Sequence, residues 1–244
     1  MIRFIFIFFS FIVCFSVYAG TIDPSTPDSK YIDYGSKFKH IYKVCGMYED
    51  NTLYCASCVV IDSNWALTAA HVVKESKVCI VKDDSNKYVV SNIICHKDYE
   101  PNNFGYYDIA LLHIKDSIDL DFYPQMYENE DEVNKVCAIA GYGLTGTFET
   151  GIKISDDKKR GGSNKIDKID RHLLICSPSR VERTELEFLI GSGDSGGGLF
   201  IDGKLAGINS CVITSDGKPN STYLDESGHT RISQYIKWIK ENKE

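Results

Sequence analysis

The stretch "LIGSGDSGGGLF", Leu189 to Phe200, decides how this chain is read. Five of its twelve residues are glycine, and Asp194 and Ser195 sit at its centre between apolar ends. Fixing a glycine costs more conformational entropy than fixing any other residue, so a plain turn would use one or two. A serine hydroxyl is a weak nucleophile until a base takes its proton. The oxyanion formed when it attacks a carbonyl needs preorganised donors, and main-chain N–H groups serve. Aiming two such groups at one point demands a sharp turn without Cβ clashes, which Gly193, Gly196 and Gly197 permit. Taken alone, the segment also fits a glycine-rich hairpin with no chemistry.

Two further segments weigh against the bare hairpin. "WALTAAHVV" places His71 at the end of an apolar strand, after small residues that allow close approach. "YYDIALLHI" places Asp108 directly before a fully apolar strand, where a carboxylate must be paired or hydrogen-bonded because a bare buried charge is costly. Aspartate, histidine and serine together supply an orienting carboxylate, a base and a nucleophile.

The rest of the chain reads as all-β. "CASCVVID", "KVCIVKD", "YVVSNIIC", "DIALLHI", "KVCAIAGY", "RHLLIC", "LFIDG" and "KLAGINSCVI" are short β-rich runs separated by turn residues, the pattern of a barrel or sandwich. Asp202-Gly203 marks a tight hairpin. One helix closes the chain: Ile232, Tyr235, Ile236 and Ile239 fall on one face, with Ser233 as a candidate cap. The polar tract Ser155–Asp170 reads as a surface loop followed by a strand, with Lys158-Lys159-Arg160 as a solvated basic run.

"LTAAH", "DIALL" and "GDSGG", in that order, resemble the chymotrypsin-like (trypsin-fold) secreted serine proteases. "CAIAGYG", "LAGINS" and "RISQYIKWI" extend the resemblance over about the whole mature chain. It implies two six-stranded antiparallel β-barrels, about 31–135 and 136–230, and a C-terminal helix over 231–244. It also implies roles. Ser195 is the expected nucleophile, His71 the general base, and Asp108 the group that orients His71. The N–H groups of Gly193 and Ser195 form the oxyanion hole. Asp194 supports the site, Ser210 bonds the catalytic aspartate, and Leu189 and Val212 line the specificity pocket. No cofactor and no metal is implied.

The chain departs from that family in four ways, which marks a divergent branch. Val72 stands where a cysteine usually follows the histidine, Ile201 and Gly191 replace two more cysteines, and Cys137 needs a different partner. No family-type activation site appears. Lys30-Tyr31 is a poor candidate for one, and the amine left by signal removal, or a site that forms without proteolysis, are the alternatives. Leu189 cannot pair with a basic substrate side chain, and Val212 narrows the pocket. "KRGGSNKID" replaces the usual middle loop.

Composition sets the context. Arg3 and the apolar run Phe4–Val17, closed by Val17-Tyr18-Ala19, read as an export signal over 1–19, too short for the roughly 20 residues of a membrane span. The remaining 20–244 form the peptidase domain. Net charge is −7 for the whole chain and no basic stripe is present, which argues against nucleic acid. Eight of the nine cysteines follow the signal, an even number that suits up to four disulfides in an exported protein. Cys55-Ala-Ser-Cys58 lacks the second ligand pair of a zinc site. Asn220-Ser221-Thr222 is a glycosylation sequon. The expected protein is a secreted, monomeric serine endopeptidase acting on protein or peptide substrates, open to a protein inhibitor, and free of the membrane after signal removal. The competing reading is a non-catalytic binding or decoy module on the same fold.

Overall fold

The computed structural model describes residues 20–154 and 156–243; the export signal assigned to 1–19 lies outside them. The chain enters through β1 (Thr21–Ile22) and α1 (Asp28–Gly35). Pro27 precedes that helix and Asp28 stands in its first turn, where a negative charge suits the helix dipole. Tyr31 is buried in α1, so the Lys30–Tyr31 bond is folded away rather than presented as a cleavage site.

The first barrel follows: β2 (Ile41–Tyr48), β3 (Leu53–Asp62), β4 (Trp65–Thr68), a single turn α2 (Ala70–Val73), β5 (Ser76–Lys82), β6 (Lys87–Cys95) and β7 (Ala110–Ile114). Six antiparallel strands close in the order β2-β3-β4-β7-β6-β5, around Val44, Val59, Leu67, Val81, Leu111 and Ile114. Closure pairs every strand edge.

The second barrel is built from β8 (Val136–Gly141), β11 (Arg160–Asp170), β12 (Leu173–Cys176), β14 (Gly198–Ile201), β15 (Lys204–Thr214) and β16 (Asp225–Arg231), with β9 (Thr145–Thr147), β10 (Gly151–Ile154) and β13 (Phe188–Leu189) outside its wall. Its closed order is β11-β12-β16-β15-β14-β8. Ile139, Ile166, Leu174 and Leu199 fill it. A small sheet, β10-β9-β1-β13, sets Thr21 opposite Leu189. Asp202 and Gly203 both take positive φ, 50° and 76°, as a two-residue hairpin between β14 and β15 demands.

The chain ends cross over. Helix α1 packs on β11 of the second barrel, whereas Ile232, Tyr235 and Ile239 at the carboxyl end join the core of the first. That end is a 3₁₀ turn, Ile232–Gln234, followed by α3 (Ile236–Asn242). Ser233 caps nothing; its hydroxyl donates to Glu132.

Two expectations change. The basic run 158–160 is only partly a solvated loop: Lys158 is exposed ahead of the strand, but Arg160 is not. Arg160 begins β11 fully buried, its guanidinium shared between Asp28 (Nε–Oδ1 2.6 Å) and Asp156 (Nη1–Oδ1 2.8 Å). Burying that charge is possible because two carboxylates meet its planar fork. Among the described residues one disulfide is formed, Cys45–Cys55, on facing positions of β2 and β3. Cys58, Cys79, Cys95, Cys137, Cys176 and Cys211 are thiols, with Sγ of Cys137 and Cys176 3.9 Å apart.

Candidate active site

Ala69 and Ala70 are fully buried, and their small side chains let α2 turn tightly at the mouth of the first barrel. The turn carries His71. Across the mouth, Asp108 stands just before β7, behind Tyr107, whose φ of 60° is unusual for an aromatic residue. The Tyr107 N–H donates to the Tyr235 hydroxyl at 2.8 Å, so the carboxyl-terminal segment supports this bend. Asp108 then meets His71 twice. Oδ1 accepts the His71 main-chain N–H at 2.9 Å, and Oδ2 lies 2.8 Å from Nδ1. Ser210 of the second barrel donates to the same Oδ2 at 2.6 Å, and Thr230 donates to the Asp108 carbonyl.

The serine comes from the loop between β13 and β14. Its Oγ is 2.9 Å from Nε2 of His71. Asp108, His71 and Ser195 thus form one continuous chain across the seam between the barrels. The His71 side chain is 37% exposed and that of Asp108 is 10% exposed, so the ring edge is open while the carboxylate is shielded.

Electrostatics follow from that geometry. Burial opposes a charge on His71, but the Asp108 charge and hydrogen bond outweigh it and raise its pKa above 6.5. Burial likewise pushes Asp108 up, and the partners His71 and Ser210 and the His71 N–H more than reverse it, leaving its pKa below 3.8.

The loop that carries Ser195 is held from several sides. Gly193 and Gly196 take φ of 92° and 83°. A Cβ on Gly196 would stand 2.0 Å from the Thr68 hydroxyl and 2.2 Å from the Ser57 carbonyl, so only glycine fits. Leu144 N–H donates to the Ser192 carbonyl at 2.9 Å. A trans peptide points C=O and N–H in opposite directions, so this bond turns the Gly193 N–H away from Leu144. Among the described residues, neither the Gly193 nor the Ser195 N–H donates to a protein acceptor.

Asp194 is fully buried, and burial pushes its carboxyl up to about 7 although N–H groups of Gly191 and Gly143 donate to it and the Gly20 main chain and the Arg160 charge also favour its ionised form. The Gly191 and Gly143 bonds are both 3.0 Å. Leu189 is fully buried in β13, and Val212 is half-buried in β15 opposite Ser227. A cleft of about 270 Å³ opens beside His71 and Asp108, lined also by Tyr99, Phe104, Tyr106 and Cys211.

The sequence reading overlooked Ser57. Its N–H donates to the Ser195 carbonyl at 2.9 Å, and its hydroxyl donates to the Gly193 carbonyl at 3.0 Å while accepting the Tyr142 N–H. Its one signal was its place between Cys55 and Cys58, where the cysteines drew the attention. Among the described residues no cluster of three or more His, Cys, Asp or Glu side chains is arranged to hold a metal ion.

A family model of trypsin matches residues 40–239. The chain belongs to the trypsin family. Submandibular glandular kallikrein-9 of Rattus norvegicus is 26% identical over 228 residues, which cover 78% of this chain and 80% of that protein. Tonin of Rattus norvegicus is 24% identical over 255 residues, covering 91% and 93%. Among solved structures, HL collagenase superposes with a TM-score of 0.69 at 19% identity, covering 84% of this chain and 94% of its own. Neuropsin, a serine protease of mouse brain, gives 0.67 at 22% identity, covering 91% and 99%. The two closed barrels and terminal helix are therefore the chymotrypsin-like fold of the trypsin family.

Proposed function

We propose that this member of the trypsin family is a secreted serine endopeptidase that cleaves protein or peptide substrates through an acyl-enzyme. The observation that carries the reading is the unbroken contact chain Asp108–His71–Ser195. In the proposed reaction His71 Nε2 takes the Ser195 proton as Oγ bonds to the substrate carbonyl carbon. The Gly193 and Ser195 N–H groups receive the oxyanion. The imidazolium gives its proton to the leaving amine, and water then reverses the sequence to free the acid. Asp108 holds the ring tautomer and steadies its charge, with Ser210 holding Asp108.

Export and maturation belong to the same proposal. Cleavage after Ala19 releases residues 20–244 as a monomeric peptidase domain. It also makes Gly20 an ammonium beside the Asp194 carboxylate, whose charged form its main chain already favours. A cation there compensates a buried charge that the N–H donors and the Arg160 charge leave raised.

A fluorophosphonate probe tests the reading. Wild-type protein is expected to be labelled at Ser195 and to hydrolyse peptides. Ser195→Ala and His71→Ala should fold and lose activity by about 10⁴-fold or more. An unlabelled, inactive wild type would instead indicate a binding module.

A further inference from the structure

Asn209 holds the peptide unit that carries the Ser195 N–H. It lies in β15, fully buried. Its Nδ2 donates to the Asp194 carbonyl at 3.1 Å and to the Ala140 carbonyl at 3.2 Å. Its main chain grips the same loop, accepting the Gly196 N–H and donating to the Gly197 carbonyl, both at 2.8 Å. The Asp194 carbonyl also accepts the Gly197 N–H at 2.8 Å, which closes the turn from within; Asn209 is its anchor from outside the loop. Among the described residues no peptide bond is cis. Drawing the Asp194 carbonyl toward the barrel interior therefore turns the Ser195 N–H the opposite way, toward the attacked carbonyl. Gly197 makes room for this contact, since a Cβ there would stand 2.7 Å from Nδ2 and 2.4 Å from the Ala140 carbonyl.

An amide side chain can flip, and a flipped Asn209 would set its oxygen against two carbonyls. His229 prevents that. With Nδ2 on carbonyl oxygens, Oδ1 faces Nδ1 of His229 at 2.9 Å, so that ring nitrogen carries the proton. Nε2 then faces the Ser227 hydroxyl at 3.0 Å, the shorter of that hydroxyl's two acceptor contacts, the Cys176 carbonyl being at 3.3 Å. His229 is fully buried, and burial pushes its pKa down to about 3, so the ring stays neutral with one N–H to give. Ser227, His229 and Asn209 thus form a buried relay of hydrogen bonds that ends on the nucleophile loop.

We infer that Asn209, oriented by His229, is a positioning residue for the Ser195 N–H of the oxyanion hole. It touches no substrate and acts through the Asp194–Ser195 peptide unit. The inference rests on the serine-protease reading above. Its energetic scale is set by the loss of one oxyanion donor, about 10²–10³ in kcat, of which a misaimed donor loses a part.

The test uses Asn209→Leu, which keeps the volume and removes the amide, and His229→Phe, which keeps a ring and removes the N–H. Peptide hydrolysis, a peptide boronate inhibitor and a thermal melt are measured on each. The expected result is a kcat lower by about 10- to 100-fold, with KM within about twofold and boronate affinity weakened in step with kcat. His229→Phe should show the smaller loss, and His229→Gln, which can again donate to Oδ1, should recover most of it. Equal loss in KM and kcat, or boronate affinity unchanged while kcat falls, would overturn the inference. So would kcat within twofold of wild type in both Asn209→Leu and His229→Phe. Failure of both variants to fold would mark the relay as structural and count against positioning. A wild type that neither hydrolyses peptides nor takes a fluorophosphonate would overturn the protease reading itself, a result distinct from all of these.

Discussion

The main chain of Gly20 lies near enough to the carboxylate of Asp194 to favour its charged form, and Asp194 is the residue just before the serine that His71 addresses. A buried carboxyl raised to about 7 is half-protonated near neutrality, even with N–H groups of Gly143 and Gly191 on it and the Arg160 charge opposing the shift. An ammonium on Gly20 would keep it ionised and fix the loop. Protein beginning at Gly20 should therefore be more active, by about tenfold or more, than protein with one extra residue before it, since about 1.4 kcal/mol of loop stabilisation gives that factor. The pH dependence has a sign. A free α-amine titrates near 7.7–8.0, and a carboxylate partner raises that value. The ion pair is complete below it and is lost as pH rises through the raised value. Only the Gly20 form should show the resulting alkaline loss. Equal activity and equal alkaline behaviour in both forms would mean that the N–H donors suffice. Amino-terminal sequencing of exported protein checks the cut itself.

Acid loss of activity tests the His71–Asp108 pair. A general base works only when neutral, and His71 is raised above 6.5 by Asp108 against the opposing effect of burial. The acid limb of kcat/KM should thus lie above the ordinary imidazole value. Asp108→Asn removes the charge responsible, so the limb should move to lower pH while the plateau rate falls by about 10⁴-fold. A limb that stays in place would separate His71 from the titration.

Acid stability depends on histidines buried in neutral form. Burial lowers His229 to about 3 and His40 to about 4, the latter helped by Lys159. Unfolded histidine titrates near 6.5, so below that pH the unfolded chain binds more protons, and stability falls as pH drops. Each pH unit over which one folded ring stays neutral removes about 1.4 kcal/mol. His40 lies against the rings of Phe38, Phe122 and Phe200, and neither of its ring nitrogens has a hydrogen-bond partner among the described residues. His40→Phe should raise the melting temperature and flatten its slope between pH 6.5 and 4. Unchanged acid sensitivity would show that other groups control it.

How much of this was legible in the sequence depends on the range of each interaction. Asp202-Gly203 was readable because a two-residue hairpin is a local problem of positive φ. The three motif segments were readable because glycine, histidine and aspartate next to apolar runs are locally conspicuous. Arg160 was not, because its second carboxylate, Asp28, is far away in the chain. Strand β16 was missed for a similar reason. Ser227, His229 and Thr230 lack the apolar alternation that marks a strand, yet all are buried and partnered on β15, β12 and the Asp108 bend. Asn209 and Ser57 support the site from strands whose apolar neighbours mask them.

Substrate preference is the last expectation, and it rests on the proposed place of Leu189 at the base of the specificity pocket. A basic substrate side chain entering a buried pocket loses its hydration, a penalty of several kcal/mol unless a carboxylate replaces it. Leu189 has none. Two acids nearby in sequence lie elsewhere. Glu187 accepts the Ser179 N–H at 2.6 Å and lines a separate cleft with Asn164 and Tyr223. Asp216 is exposed on the turn after β15, where it accepts from Thr214. Val212, which the family resemblance places on the pocket wall, should exclude large rings. Cleavage after Ala, Val or Leu is therefore expected, with Arg and Lys disfavoured well beyond tenfold, because about 1.4 kcal/mol already gives that factor. A peptide library digested by mature enzyme reads the preference, and Leu189→Ala should widen it toward longer apolar side chains. Dominant cleavage after Arg or Lys, retained in Leu189→Ala, would place the base of the pocket elsewhere.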